Sequence, residues 1–187
     1  MGMAGDNEAD FRRTFIEKFG GASLDGKRRY HLRFPGHEPV STSVDETILL
    51  PDGRLILVEI DSGNMAKLLA GQYALLNGLC REDRQRTLFL VVHYYIDKKN
   101  NNKPYTAHRT IKNLHAIQSF APKTDWLPYN AINIEDMRGV IAASRDIADF
   151  AVRIWPSAMD PTVAAPVNAQ RLLYETSMQV HLAEPQP

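Results

Sequence analysis

The chain has 187 residues, of which 44% are hydrophobic and one, Cys80, is a cysteine. That length suits one domain with a modest appendage and enough apolar mass for a core. A single cysteine excludes a disulfide framework and a multi-cysteine zinc site. With 22 basic and 22 acidic residues the formal net charge is zero, which counts against an indiscriminate nucleic-acid coat. The start, MGMAGDNEAD, is polar and acidic, unlike a signal peptide, and no apolar run approaches the roughly 20 residues of a membrane span. The expectation is a cytoplasmic protein with no membrane partner.

Glu8–Phe19 reads as a helix, because Phe11, Phe15 and Phe19 recur every four residues and Gly20-Gly21 stops it. A short strand is expected at Arg29–Phe34, before a turn at Pro35-Gly36. Ser41–Leu50 reads as a strand with Val44, Ile48 and Leu50 on one face and Ser43, Asp45 and Thr47 on the other. Pro51-Asp52-Gly53 makes the turn, and Arg54–Asp61 returns with Ile56, Val58 and Ile60 on one face. Ser62 is a candidate cap for a helix over Asn64–Leu79, striped by Met65, Leu68, Leu69, Leu76 and Leu79. Thr87–Tyr95 (TLFLVVHYY) is a nearly continuous apolar run, as in a strand covered on both faces. After a polar loop at Asp97–Pro104 come a helix at Ala107–Phe120, a strand near Trp126–Ile132, and a helix over Ile134–Ile154 with Asn133 as its cap. Beyond Trp155, PSAMDPTVAAP reads as a linker, and Gln170–Val180 as one more helix. The order of elements predicts an α/β sandwich with a mixed sheet, its central hairpin flanked by helices. Residues 1–155 form the domain and 156–187 a linker and tail, which could dock on the core or on a partner.

The hairpin register follows from its turn. A three-residue loop with Gly53 left-handed pairs Leu50 with Arg54 and sets Asp45 opposite Glu59. A two-residue Asp52-Gly53 loop would slip the strands by one and mix polar and apolar faces, which disfavours it. In the preferred register Asp45, Glu59 and Asp61 share a face, and opposed Cβ atoms lie about 4.5–5.5 Å apart, where like charges repel. Either a divalent cation or neighbouring Lys and Arg side chains must compensate.

Val44-Asp45, the turn at Asp52-Gly53, Leu57-Val58-Glu59-Ile60-Asp61 and a following helix with Gln72-Tyr73 resemble the PD-(D/E)XK nuclease superfamily. The resemblance covers Asp45–Leu79, with Thr87–Tyr95 as the next core strand, and leaves out the C-terminal third. It implies a restriction-endonuclease-like fold in which Asp45, Glu59 and the carbonyl of Ile60 hold Mg2+ (or Mn2+) for hydrolysis of DNA, often by dimers that the tail could serve. Where the superfamily has lysine this chain has Asp61. The pattern Glu59-Ile60-Asp61-Ser62-Gly63 is similar to branches that place the lysine in the next helix, where Lys67 is the substitute. Asp61 would then hold a second metal or orient Lys67. Gln72 lies on the apolar stripe and points inward, where a buried amide needs partners.

Gly78 to Ala116 carries eight basic residues against three acidic ones. Within it Lys98, Lys99, Lys103 and Arg109 are candidates to track a DNA backbone, with a solvated surface as the alternative. His93 reads as a base, a ligand or a core histidine with satisfied nitrogens. No phosphate loop, nucleophile elbow or dinucleotide fingerprint is present. Two functions remain open: a Mg2+-dependent deoxyribonuclease, or a nuclease-like module that lacks the lysine and binds DNA or a protein. A cation within reach of Glu59 separates them.

Overall fold

A computed structural model of the chain describes residues 4–97, 103–120 and 125–155. The expected linker and tail helix, and Lys98 and Lys99, lie outside the described residues. The chain runs α1 (Ala4–Phe19), β1 (Arg28–Leu32), β2 (Val40–Val44), β3 (Glu46–Leu49), β4 (Leu55–Asp61), α2 (Ala66–Leu79), β5 (Thr87–His93), β6 (Ile96–Asp97), β7 (Lys103–Pro104), α3 (His108–Phe120), β8 (Tyr129–Asn133), α4 (Ile134–Ala143) and α5 (Ile147–Ile154), with one short 3-10 turn before β5. It is an α/β protein whose main sheet has the order β3-β4-β5-β8. The β3–β4 pair is antiparallel, whereas β4–β5 and β5–β8 are parallel, so the sheet is mixed. No helix among the described residues is long and apolar enough to cross a membrane.

Alternation along the strands divides the core into two layers. Ile56, Val58 and Ile60 of β4, with Leu88, Leu90 and Val92 of β5, pack against Phe11 and Phe15 of α1, Met137 and Ile141 of α4, and Phe150 of α5. The phenylalanine stripe of α1 is buried as its spacing predicts. Phe15 lies edge-on to Phe150, with ring centroids 5.5 Å apart. On the other face Leu57, Phe89 and Val91 meet Leu69, Tyr73 and Leu76 of α2 and Ile111 and Leu114 of α3. All seven residues of β5 are buried, as expected of a parallel strand covered on both faces.

The hairpin register is the expected one. Glu46 pairs with Val58 and Leu49 with Leu55, Leu50 N–H donates to Arg54 O, Gly53 N–H donates to Leu50 O, and Gly53 has φ +81°. Its place in the sheet differs from expectation. β3 is an edge strand, not part of a central hairpin. Its open side is covered by residues 23–25, through Leu49 N–H to Ser23 O and Asp25 N–H to Thr47 O, which blunts an exposed edge. The single expected strand Ser41–Leu50 is two strands that break at Asp45. β2 pairs with β1 in a separate two-stranded sheet, and the break moves Val44 to the α2 face, away from Ile48 and Leu50.

Two helices also differ. α2 buries Leu69, Tyr73 and Leu76 and leaves Met65 and Leu68 exposed, because Tyr73, an aromatic absent from the predicted stripe, sets the inward face. The expected helix Ile134–Ile154 is two helices. Ser144 Oγ bonds back to Val140 O, and Asp146 caps α5 by accepting from Asp149 N–H. Asn133 caps α4 as expected, accepting from Asp136 N–H.

The turn is directly testable. An L-residue in the left-handed region costs about 1–2 kcal/mol, so Gly53→Ala should lower stability in urea by that amount with an unchanged denaturant slope. An unaltered midpoint would contradict the turn and the register built on it.

Candidate active site

The break at Asp45 builds the site. Asp45 N–H still donates to Val58 O at 3.0 Å, but the strand does not continue beyond it. Instead the Asp45 carboxylate takes over from a backbone carbonyl, and its Oδ2 accepts from Ile60 N–H at 2.9 Å. In an extended residue the N–H and C=O project to the same side of the strand. The Ile60 carbonyl therefore faces the Asp45 side of β4.

The pairing ends at Glu46–Val58, one residue short of Asp45, and the Asp45 bond to Ile60 N–H brings its charge beside Glu59. Glu59 follows Leu57 on the α2 face, and its Oε2 is buried without a hydrogen-bond partner among the described residues. Burial pushes its pKa up to about 8 and the Asp45 charge adds to the rise, while the Gln72 amide and the Lys27 ammonium pull the other way. Gln72 points inward, and its Nε2 donates to Ser43 O at 2.7 Å, pinning α2 to the end of β2 beside Asp45.

The cation at this site is Lys27, whose Nζ lies 3.6 Å from Asp45 Oδ1. It enters from the segment before β1. Gly26 there has φ +79°, and its N–H donates to Oε1 of buried Glu46 at 2.5 Å. The other Glu46 oxygen is paired with Arg12 of α1. Lys67, the substitute expected from the sequence, is exposed on the first turn of α2, and no ion pair joins it to a carboxylate among the described residues.

Asp61 lies in a different environment. Its carboxylate accepts from Gly63 N–H and Met65 N–H in the loop before α2; α2 has no side-chain cap, and Ser62, the expected cap, instead accepts from Asn7 Nδ2. It also meets His93 Nδ1 at 2.8 Å, and His93 Nε2 meets Thr110 Oγ1 at 2.9 Å. Burial works to raise the Asp61 pKa, but the hydrogen bonds from His93, Gly63 and Met65 outweigh it and hold the pKa below the ordinary value. Asp61 is thus tied to His93, not to Lys67. His93 is a satisfied core histidine, with Tyr105 edge-on to its ring at 4.7 Å.

Among the described residues no group of three or more His, Cys, Asp and Glu side chains is placed to hold a metal. The donors present are Asp45, Glu59 and the Ile60 carbonyl. Mg2+ takes one or two carboxylates and fills its shell with water and phosphate oxygens, and the unpartnered Oε2 of Glu59 fits that role. Of the basic candidates, Arg109 is exposed on the first turn of α3, and Lys103 begins β7. Lys27, Glu46 and the His93–Thr110 contact were not found by sequence reasoning. The only local signal for Lys27 was the Asp25-Gly26 turn before it.

The Glu59 shift has a pH signature. Its pKa rises from 4.5 unfolded to about 8 folded. Between those values the unfolded chain releases a proton that the folded chain keeps, so stability falls as pH rises through that window and is flat above it. Glu59→Gln should remove this slope, measured as urea stability at pH 5 and pH 8 without metal. The same slope in wild type and variant would contradict the assignment.

No protein-family model, no curated protein and no solved structure matches this chain.

Proposed function

We propose that the chain is a metal-dependent nuclease with a restriction-endonuclease-like fold that hydrolyses DNA phosphodiester bonds. The observation that carries this reading is the Asp45 carboxylate brought beside Glu59 at a strand break by its bond to Ile60 N–H, with Glu59 Oε2 buried and without a partner among the described residues. Without metal, keeping Glu59 protonated in the fold costs stability as pH rises above 4.5. A carboxylate pair at such a place gains a purpose when a divalent cation is present.

Asp45, Glu59 and the Ile60 carbonyl would hold Mg2+ or Mn2+. A bound ion of this kind supplies a water of lowered pKa and Lewis acidity at the scissile phosphate. The chain's own residues set the geometry. The Ile60 N–H bond orients the Asp45 carboxylate, Gln72 holds α2 against the site, and Asp61 fixes the loop that leaves β4. DNA is the proposed substrate, with Lys98, Lys99, Lys103 and Arg109 as phosphate contacts and Mg2+ as cofactor. A cytoplasmic setting and a homodimer belong to the same proposal.

The second reading is a nuclease-like module that binds DNA or a protein without cutting. The absence of an ammonium within reach of Glu59 would favour it; the Lys27 ammonium beside Asp45, which also acts on Glu59, favours the enzyme instead.

Two experiments bear on these readings. Saturating Mn2+ should raise the melting temperature of wild type, a ligand at 100 times its dissociation constant being worth about 2.7 kcal/mol. Asp45→Asn and Glu59→Gln should stay folded and lose both that rise and DNA cleavage. A wild-type protein with no shift in millimolar Mn2+ and no cleavage of any DNA form would contradict the nuclease reading. For DNA binding, replacing Lys98, Lys99, Lys103 and Arg109 by Ala should weaken affinity and flatten its dependence on log salt by about 0.9 for each phosphate no longer neutralised. An unchanged slope would reduce this segment to an ordinary surface.

A further inference from the structure

The site brings two carboxylates together, and the proposed substrate adds a phosphodiester anion. The position that follows Glu59 by two residues, Asp61, is an acid whose oxygens are occupied by Gly63, Met65 and His93. It cannot supply positive charge. Nearby arginines are also engaged, Arg12 on Glu46 and Arg28 on Asp25 and Glu82. Lys27 differs from them. Its contact with Asp45 Oδ1 is 3.6 Å, beyond hydrogen-bond range, and its side chain is 55% exposed. The ammonium is near the carboxylates and free to move onto a substrate.

Its backbone, by contrast, is firmly placed. Asp25 N–H donates to Thr47 O on the edge of β3. Gly26 turns the chain in the left-handed region and donates its N–H to Glu46. Glu46 is 1% exposed and shared with Arg12. A mobile functional group on a fixed support is the arrangement a reacting site needs.

We infer that Lys27 is a catalytic residue of this site, a role that rests on the nuclease reading above. Its ammonium leaves Asp45 when that carboxylate takes a metal and contacts a non-bridging oxygen of the scissile phosphate. There it stabilises the charge that grows as the water oxygen bonds to phosphorus and the bond from phosphorus to the leaving sugar oxygen breaks. The water gives its proton to solvent, the leaving oxygen takes one from solvent, and Lys27 keeps its own.

The test uses the full chain, a DNA duplex and saturating Mn2+, with wild type, Lys27→Met and Lys27→Arg. Removing one such charge-stabilising donor lowers kcat about a hundredfold or more. Lys27→Met should show that loss with KM for DNA and Mn2+ affinity near wild type, and Lys27→Arg should recover part of kcat. The melting temperature and its rise with Mn2+ confirm that each variant is folded and loaded. A Lys27→Met protein that cuts at the wild-type kcat overturns the inference and leaves the nuclease reading standing. So does one whose deficit disappears when Mn2+ is raised further, since Lys27 would then serve metal binding alone. Wild type that neither binds Mn2+ nor cuts overturns both.

Discussion

The site depends on one substitution of bonding partners. Just before β3 begins the ladder stops, and the Asp45 side chain, not a backbone carbonyl, accepts the Ile60 N–H. A buried N–H left without a partner costs about 1–3 kcal/mol, so this bond holds the carboxylate to the strand that carries Glu59. The same break releases β2 to pair with β1 and to turn its Val44 onto the α2 face. A local change in hydrogen bonding thus defines the edge of the sheet, closes the second core layer and brings two acidic side chains to one point.

Two acids on β4, two residues apart and on one face, are driven in opposite directions. Glu59 has a buried oxygen without a partner among the described residues and a like charge opposite, and its pKa rises to about 8. Asp61 receives hydrogen bonds from the next loop and from His93, and its pKa falls. Environment, more than residue type, separates them: Asp61 holds the loop before α2 and joins it through His93 to Thr110 on α3. Glu59 keeps one buried oxygen without a partner among the described residues. Glu46, on the opposite face, is a third case, a buried acid engaged by Arg12 and Gly26.

Features set by local chemistry were legible in the sequence. Pro51-Asp52-Gly53 contained the turn, and the turn set the register from Glu46–Val58 to Leu49–Leu55. The helix of Phe11 and Phe15, the buried strand through His93 and the Asn133 cap followed from spacing and capping in the same way. What depended on contacts distant in sequence was not legible. Lys27 reaches Asp45 by way of a turn held by Glu46 and Arg12, and nothing periodic announces it. The break at Asp45 arises because a side chain captures a backbone donor, which alternation cannot reveal. The inward face of α2 was read in part: Leu69, Leu76 and Leu79 are buried as expected, whereas Leu68 is exposed and Tyr73, its ring stacked 5.6 Å from Phe89, was missed. Ser144 and Asp146 were overlooked as the end of one helix and the start of the next.

The central claim is that Asp45, Glu59 and the Ile60 carbonyl form one divalent-cation site. Anomalous scattering from crystals soaked in Mn2+ tests it most directly. The expected result is a peak about 2.0–2.3 Å from Asp45 Oδ1, Glu59 Oε2 and the Ile60 carbonyl oxygen, with the Lys27 ammonium displaced from Asp45. A map with no peak there, and Lys27 still on Asp45, would contradict it.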